Sequence, residues 1–140
     1  MAQHTRGAGL WHTGIGGLHW LFLLLLCSAY LQGGLAKLLD FGGAVREMQH
    51  FGLQPPAPLA ILVIASELGA AAMILSGRLR WLGAIWLALF TVAATFIANR
   101  YWNFNGQERF AAVNSFYEHL GLAGGFLLVA WHDLAGKVGR

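Results

Sequence analysis

Four stretches of mainly apolar residues follow one another along the chain, separated by short polar connections. They cover residues 14–36, 58–75, 81–98 and 113–131. A helix needs about 17–25 residues to cross the roughly 30 Å of hydrocarbon in a bilayer. The pattern therefore predicts an all-α fold, an integral membrane four-helix bundle, in which residues 1–140 form a single four-span membrane domain.

The segment between the first two stretches predicts a short amphipathic interfacial helix. Apolar residues recur there at helical spacing, namely Phe41, Ala44, Val45, Met48 and Phe51. Asp40 stands immediately before them as a candidate N-cap. A helix of this kind lies in the plane of the lipid headgroups or covers the mouth of the bundle.

The connection at residues 76–80 predicts the arrangement and orientation of the spans. It is so short that the second and third spans must be adjacent and antiparallel. It also carries Arg78 and Arg80, and positive residues in short loops favour the cytoplasmic side of a membrane. Because four spans place both termini on the side of this loop, we expect the termini to be cytoplasmic.

The composition agrees with a membrane protein and excludes several other classes. Hydrophobic residues make up 57% of the chain and charged residues 11%, whereas a soluble domain has about 45–50% and about 25%. The net charge of +3 is spread over the ends of the spans without a basic stripe, so nucleic acid is not an expected partner. The lipid bilayer is an expected partner, and so are other membrane protein subunits or a second copy of the chain. A single cysteine, Cys27, excludes an internal disulfide and a Cys-X-X-Cys centre.

Glu67 is the charged residue that most needs an explanation. It lies near the middle of the second span, roughly 13 Å from either end at 1.5 Å per residue. A carboxylate at that depth costs about 2.5–3.5 kcal/mol, so Glu67 is expected to face the bundle interior or to be protonated. Two interpretations remain open: Glu67 carries a proton or anchors a ligand, or it holds two helices in register.

Further polar residues belong to the half of the bundle that lies opposite the 76–80 loop. They are Gln32, Lys37, Asp40, Asn99, Asn114, Glu118 and His119. Together with Glu67 they predict a polar cavity that opens to that side, although helix ends near water are polar in any case. Lys37 can extend to the membrane interface, pair with Asp40 or reach toward Glu67. Because Lys37 is placed at the level of Pro58, we expect no direct contact with Glu67, and a water or ligand would have to lie between them.

The histidines predict neither a haem nor a metal site. A b-type haem needs two axial ligands at one depth, and His19 and His119 differ in depth. His12 and His132 match in depth, but each follows a tryptophan, as residues of a membrane interface do.

Small residues predict the faces on which the helices pack, at Gly69 and at the Gly121-xxx-Gly125 repeat.

Several motifs in the chain resemble the DoxX family of small bacterial membrane proteins. They are GGLAKLLDFGG at residues 33–43, FGLQPP at 51–56, ELGA at 67–70, GRL at 77–79, YW at 101–102 and the segment 114–128. The resemblance implies a four-helix membrane bundle in the bacterial cytoplasmic (inner) membrane, with Lys37, Asp40 and Glu67 at the family's lysine and acid positions. Many members have Lys-Asn where this chain has Glu118-His119, which reverses the charge there.

Three functional hypotheses follow from the residues and the resemblance. The family takes its name from a subunit of a thiosulfate:quinone oxidoreductase, which implies a subunit that supports a membrane redox complex at a quinone site and has no redox centre of its own. In that case Lys37, Glu67 and the Glu118-His119 pair position a quinone head group and its protons. The alternatives are a structural or assembly subunit that binds other membrane subunits or itself, and a small proton-linked transporter.

Overall fold

The structure, a computed structural model, describes residues 6–139, with side chains from residue 16 onward. This part of the chain is helical throughout, which confirms the all-α prediction. Its helices are α1 (Arg6–Leu39), α2 (Phe41–His50), α3 (Pro56–Ser76), α4 (Arg80–Ala98) and α5 (Gly106–Val138), with a short 3-10 helix at Tyr101–Asn103. The family lysine and acid positions therefore fall at the end of α1, before α2 and within α3.

Three helical segments of the described chain are long and apolar enough to cross a membrane. They are Gly16–Leu39, Pro56–Ser76 and Arg80–Asn103. The fourth long helix, α5, has 33 residues, but polar residues such as Glu118 and His119 lower its hydropathy. By length and composition, three of the four expected spans are therefore found in the described chain.

The long helices pack in chain order. α1 lies against α3, α3 against α4, and α4 against α5, whereas α1 and α5 approach each other closely only over a short stretch. Side chains from all four meet in one apolar core, including the fully buried Cys27, Ile74, Leu87 and Phe126. The weak α1–α5 contact leaves an open seam along one side of the bundle.

The amphipathic helix predicted between the first two spans is confirmed as α2. It begins directly after Asp40, whose Oδ1 accepts a hydrogen bond from the Gly43 amide at 2.8 Å. Its apolar side, with Ala44 and Met48 buried, packs on the first turns of α3 at Ala60. Because its other side is exposed, α2 covers one end of the bundle as the pattern indicated.

The offset between α1 and α3 creates the place for α2. Gly34 lies against Glu67 and Leu68, so these residues stand at the same level. α1 continues for five residues beyond Gly34, whereas α3 has eleven residues before Glu67. At 1.5 Å per residue, α3 therefore extends about 9 Å further than α1. Helix α2 fills that step.

Glycines allow close helix contacts at positions other than those expected from sequence. A Cβ at Gly83 would lie 2.8 Å from the Ala70 carbonyl oxygen, and one at Gly34 would lie 2.7 Å from the Leu68 side chain. By contrast, a Cβ at Gly69 or Gly121 meets no atom within 4 Å, while Gly125 faces Leu26. Of the three glycines predicted to pack, only Gly125 contacts another helix of the described chain, because a small-residue repeat does not specify which helix face is buried.

We expect alanine substitutions at Gly83 and Gly69 to change stability in opposite directions. Gly83→Ala forces α3 and α4 apart and should lower the free energy of unfolding by about 1–3 kcal/mol. Gly69→Ala adds a helix-favouring residue in open space and should raise it by about 0.5–1 kcal/mol. Reversible unfolding in detergent micelles measures both, and an unchanged or stabilised Gly83→Ala would contradict the packing described here.

Candidate functional site

A cavity of about 340 Å³ lies in the half of the bundle that α2 covers. All five α-helices contribute to its lining, and most of the wall is apolar side chain and alanine, such as Phe90, Ala94 and Leu122. Its volume falls at the small end of the range for ligand sites. Polar groups reach it at three separate places.

The first polar group is an ion pair between α1 and α3. Lys37 Nζ lies 3.4 Å from both Oε1 and Oε2 of Glu67, and the two side chains are only 17% and 10% exposed. Glu47 of α2 approaches the same ammonium, with its Oε2 at 4.0 Å. Lys37 is therefore held between acids of two different helices.

The direct contact between Lys37 and Glu67 corrects the expectation from sequence. Side chains of a helix point back toward its N-terminus. Because α1 and α3 are antiparallel, Lys37 points toward the middle of the bundle and Glu67 points toward the α2 end. The 9 Å offset of α3 also brings Glu67 within about one helical turn of Lys37, rather than several. No bridging molecule is needed.

The second polar group is a buried hydroxyl pair between α1 and α4. Tyr30 Oη and Thr91 Oγ1 are hydrogen-bonded to each other, and Thr91 Oγ1 also donates to the Leu87 carbonyl oxygen at 2.6 Å. A threonine hydroxyl has one hydrogen. Tyr30 must therefore be the donor to Thr91, which fixes the direction of this hydrogen-bond chain.

The third polar group is His119 of α5. Its Nδ1 is hydrogen-bonded to the Ser115 carbonyl oxygen, which can only accept, so Nδ1 carries the proton. In the neutral imidazole this leaves Nε2 as a hydrogen-bond acceptor. Asn99, at the end of α4, lies beside the same ring, with its Nδ2 at 3.5 Å from Nδ1.

The structure brings together some of the residues expected at the site and separates others. The cavity is lined by Lys37, Glu67, Asn99 and His119. Gln32, Asn114 and Glu118 are exposed on outer helix faces and do not line it. Asp40 caps α2 and pairs with Arg46 at 3.7 Å, both exposed. These four share the depth of the cavity or lie near its end, but they point in other directions around their helices.

Sequence reasoning missed three polar residues of the lining. They are Tyr30, Glu47 and Thr91. Two signals were available: Tyr30 precedes Lys37 by seven residues and so shares its helix face, and Thr91 is a polar residue inside an otherwise apolar span.

The described side chains include no group of three or more His, Cys, Asp or Glu residues placed to hold a metal ion. His12, one of the histidines considered for haem, lies outside the residues whose side chains are described. The lining of the cavity offers groups for hydrogen bonding and for charge interactions. An ammonium, a carboxylate, a phenol and an imidazole are arranged around apolar walls.

The sequence model of the DoxX family matches residues 20–100. The chain belongs to the DoxX family. The matched region runs from α1 through α4, so it contains Tyr30, Lys37, Glu67 and Thr91, while the α5 wall of the cavity lies beyond it. The chain is also similar to Inner membrane protein YphA of Escherichia coli (strain K12), with 29% identity over 97 residues and 69% of each chain covered. No solved structure matches the chain.

Proposed function

We propose that this DoxX protein is a four-span subunit of the bacterial inner membrane that binds a quinone head group in the cavity and supports a membrane redox complex. The observation that carries the proposal is the cavity of about 340 Å³, with apolar walls and three separate polar groups. The chain brings no redox centre of its own in this proposal. Electrons are supplied and removed by a partner protein.

The chemistry of the cavity suits a quinone. Apolar walls accommodate a flat ring, and a few convergent polar groups orient it. A quinone carbonyl oxygen accepts a hydrogen bond, which the Lys37 ammonium can donate. A quinol hydroxyl donates one, which His119 Nε2 can accept. Glu67, paired with Lys37 at 3.4 Å, is the group we assign to proton uptake and release.

The four-span topology rests on the position of α5. It packs along α4 over residues 112–130 and buries Ala112, Phe116, Ala123, Phe126 and Ala130. On its outer side it exposes large apolar residues, including Leu127, Leu128 and Trp131. A helix at this depth beside a spanning helix faces lipid on that side. Arg78 in the short α3–α4 loop and Arg80 at the start of α4 favour cytoplasmic termini, and the relative YphA carries the name of an inner membrane protein.

A second candidate function is assembly of a larger membrane complex. Asn114 and Glu118 are exposed on the outer face of α5. Polar side chains on a membrane-spanning helix are expensive in lipid and commonly face another protein. In this alternative, a second subunit or a second copy of the chain covers that face. Purification in mild detergent tests for such a partner directly.

We expect quinone binding to depend on His119 and not on its neighbour Glu118. His119→Leu removes the acceptor from the cavity and should weaken binding of a short-chain quinone about tenfold, the effect of losing one good hydrogen bond. Glu118→Gln changes an exposed side chain one residue away and should leave binding unchanged. Quenching of tryptophan fluorescence by the quinone in detergent solution measures both affinities.

Two results would contradict the quinone proposal. One is the absence of saturable quinone binding to the unmodified protein. The other is an equal effect of the His119 and Glu118 variants, because only the first residue lines the cavity. If neither variant changes quinone binding but Glu118→Gln releases a co-purifying subunit, assembly is the function of this region.

A further inference from the structure

A second cavity lies at the opposite end of the bundle, in the seam between α1 and α5. Its volume is about 890 Å³. α1 and α5 meet above it, where a Cβ at Gly125 would lie 3.2 Å from Leu26. Below that contact the seam widens toward the α3–α4 loop, and it shares no lining residue with the cavity of the candidate site.

The lining of this groove changes from apolar to charged along its length. The deep part consists of apolar residues of α1 and α5, namely Phe22, Leu23, Leu26, Leu128 and Val129. The outer part contains the basic or titratable residues His19, Arg80, His132 and Lys137, and one acid, Asp133. A groove that is apolar along its deep part and basic at its outer end is complementary to a lipid, which has apolar chains and a polar headgroup, rather than to a water-soluble molecule.

Two of the basic residues are positioned by contacts with the bundle. Arg80 Nε donates a hydrogen bond to the Ile74 carbonyl oxygen at 2.8 Å, which holds the guanidinium at the end of α3. Lys137 Nζ lies 2.9 Å from Asp133 Oδ2, and the same carboxylate oxygen accepts from the Trp81 amide at 3.2 Å. Asp133 thus anchors Lys137 to the groove. Its carboxylate offsets one of the two formal positive charges of the groove, which belong to Arg80 and Lys137.

Tryptophans place this end of the groove at the level of the lipid headgroups. Trp20 donates from Nε1 to the Leu75 carbonyl oxygen at 3.1 Å, and Trp131, which precedes the lining residue His132 in the sequence, is 72% exposed. Tryptophan is enriched at the boundary between hydrocarbon and headgroups. From Leu26 to His19 the groove runs about 10 Å along α1, most of the roughly 15 Å depth of one leaflet.

We propose that this groove binds an anionic glycerophospholipid, with its phosphate at Arg80 and Lys137 and one acyl chain along the apolar wall of α1 and α5. Charge complementarity and the apolar-to-basic gradient favour this occupant over a zwitterionic lipid, which would bring its own positive charge to the same place. Basic pockets between membrane helices bind anionic headgroups in this way. The site is separate from the cavity for which we propose quinone binding.

Native mass spectrometry of the full chain tests the proposal. The protein in detergent is mixed with equal amounts of phosphatidylglycerol and phosphatidylcholine of the same acyl composition. We expect phosphatidylglycerol to be retained in preference, and the double variant Arg80→Gln/Lys137→Gln to bind it about 25-fold more weakly, roughly fivefold for each charge. The matched control Arg46→Gln/Arg109→Gln removes two charges outside the groove and should leave retention unchanged.

Two further variants separate groove binding from general charge attraction and from loss of folding. Gly136 lines the groove and a Cβ there meets no atom within 4 Å, so Gly136→Trp obstructs the groove and should reduce retention without removing a charge. Arg80→Lys/Lys137→Arg keeps both charges and should bind phosphatidylglycerol as the unmodified protein does.

Three outcomes of these measurements would overturn the proposal: equal retention of the two lipids, an equal loss in the control variant, or full binding by Gly136→Trp. Displacement of the lipid by excess inorganic phosphate, or a second copy of the chain in its place, would do the same.

Discussion

The variant Lys37→Met is expected to lower the free energy of unfolding by about 3 kcal/mol. The substitution leaves Glu67, whose side chain is 10% exposed, without its ammonium partner at 3.4 Å. Removing one member of a buried ion pair commonly costs about 3–5 kcal/mol, because the remaining charge stays away from water. We take the low end of that range since both side chains keep some exposure.

Glu67→Gln should have a smaller effect than Lys37→Met. When the carboxylate is removed, Glu47 Oε2 still lies 4.0 Å from the Lys37 ammonium and can pair with it. We therefore expect a loss of about 1.5–2 kcal/mol, the low end of the range for a hydrogen bond to a charged group. The double variant Lys37→Met/Glu67→Gln contains neither charge of the pair and should regain part of the stability lost by Lys37→Met.

Unfolding of the purified protein in detergent, followed by circular dichroism, gives all three free energies in one double-mutant cycle. The exposed pair Arg46–Asp40, at 3.7 Å, offers a matched control, and Arg46→Met should change stability by less than about 1 kcal/mol. Equal losses for Lys37→Met and Glu67→Gln would contradict the role assigned to Glu47. Additive losses in the double variant would mean that the two side chains do not interact.

Filling the candidate cavity is expected to abolish quinone binding while the bundle stays folded. Ala94 lines the cavity from α4 and is only half-buried, so the ring of Ala94→Phe has the cavity of about 340 Å³ to enter. A phenyl ring there takes the place of the quinone ring. The quinone affinity measured by tryptophan quenching should fall by at least about 100-fold, equivalent to nearly 3 kcal/mol.

Ala65→Phe is the matched control for Ala94→Phe. It makes the same chemical change on α3, at an exposed position that does not line the cavity. We expect its quinone affinity to equal that of the unmodified protein. Unchanged binding by Ala94→Phe would show that the quinone occupies another place, and equal losses in both variants would show a general effect of the added ring.

Those features that depend on one helix could be predicted from sequence. The apolar face of α2 and its cap at Asp40 follow from local spacing and from the hydrogen-bonding capacity of a single side chain. The inward orientation of Glu67 follows from the cost of a carboxylate in hydrocarbon, and it is 8% exposed. The three candidate spans follow from length and hydropathy in the same way.

Features that depend on how two helices are offset or rotated could not be predicted. The contact of Lys37 with Glu67 requires the offset of α3 relative to α1, which the packing of Gly34 and of α2 determines. The adjacent residues Glu118 and His119 share a depth but lie about 100° apart around α5, so one is exposed and the other lines the cavity. The depth of a residue in the membrane can be counted along the sequence. The rotation of a helix about its own axis, by contrast, is set by the helices that pack against it.

The walls of the candidate cavity differ in how they relate to the family match. His119 and Leu122 line the cavity from α5 but lie outside residues 20–100, the part that matches the DoxX family. The ion pair of Lys37 and Glu67 lies inside that part. A change at position 119 or 122 would alter the cavity wall and leave the ion pair in place. Positions 119 and 122 are where related sequences should be compared first.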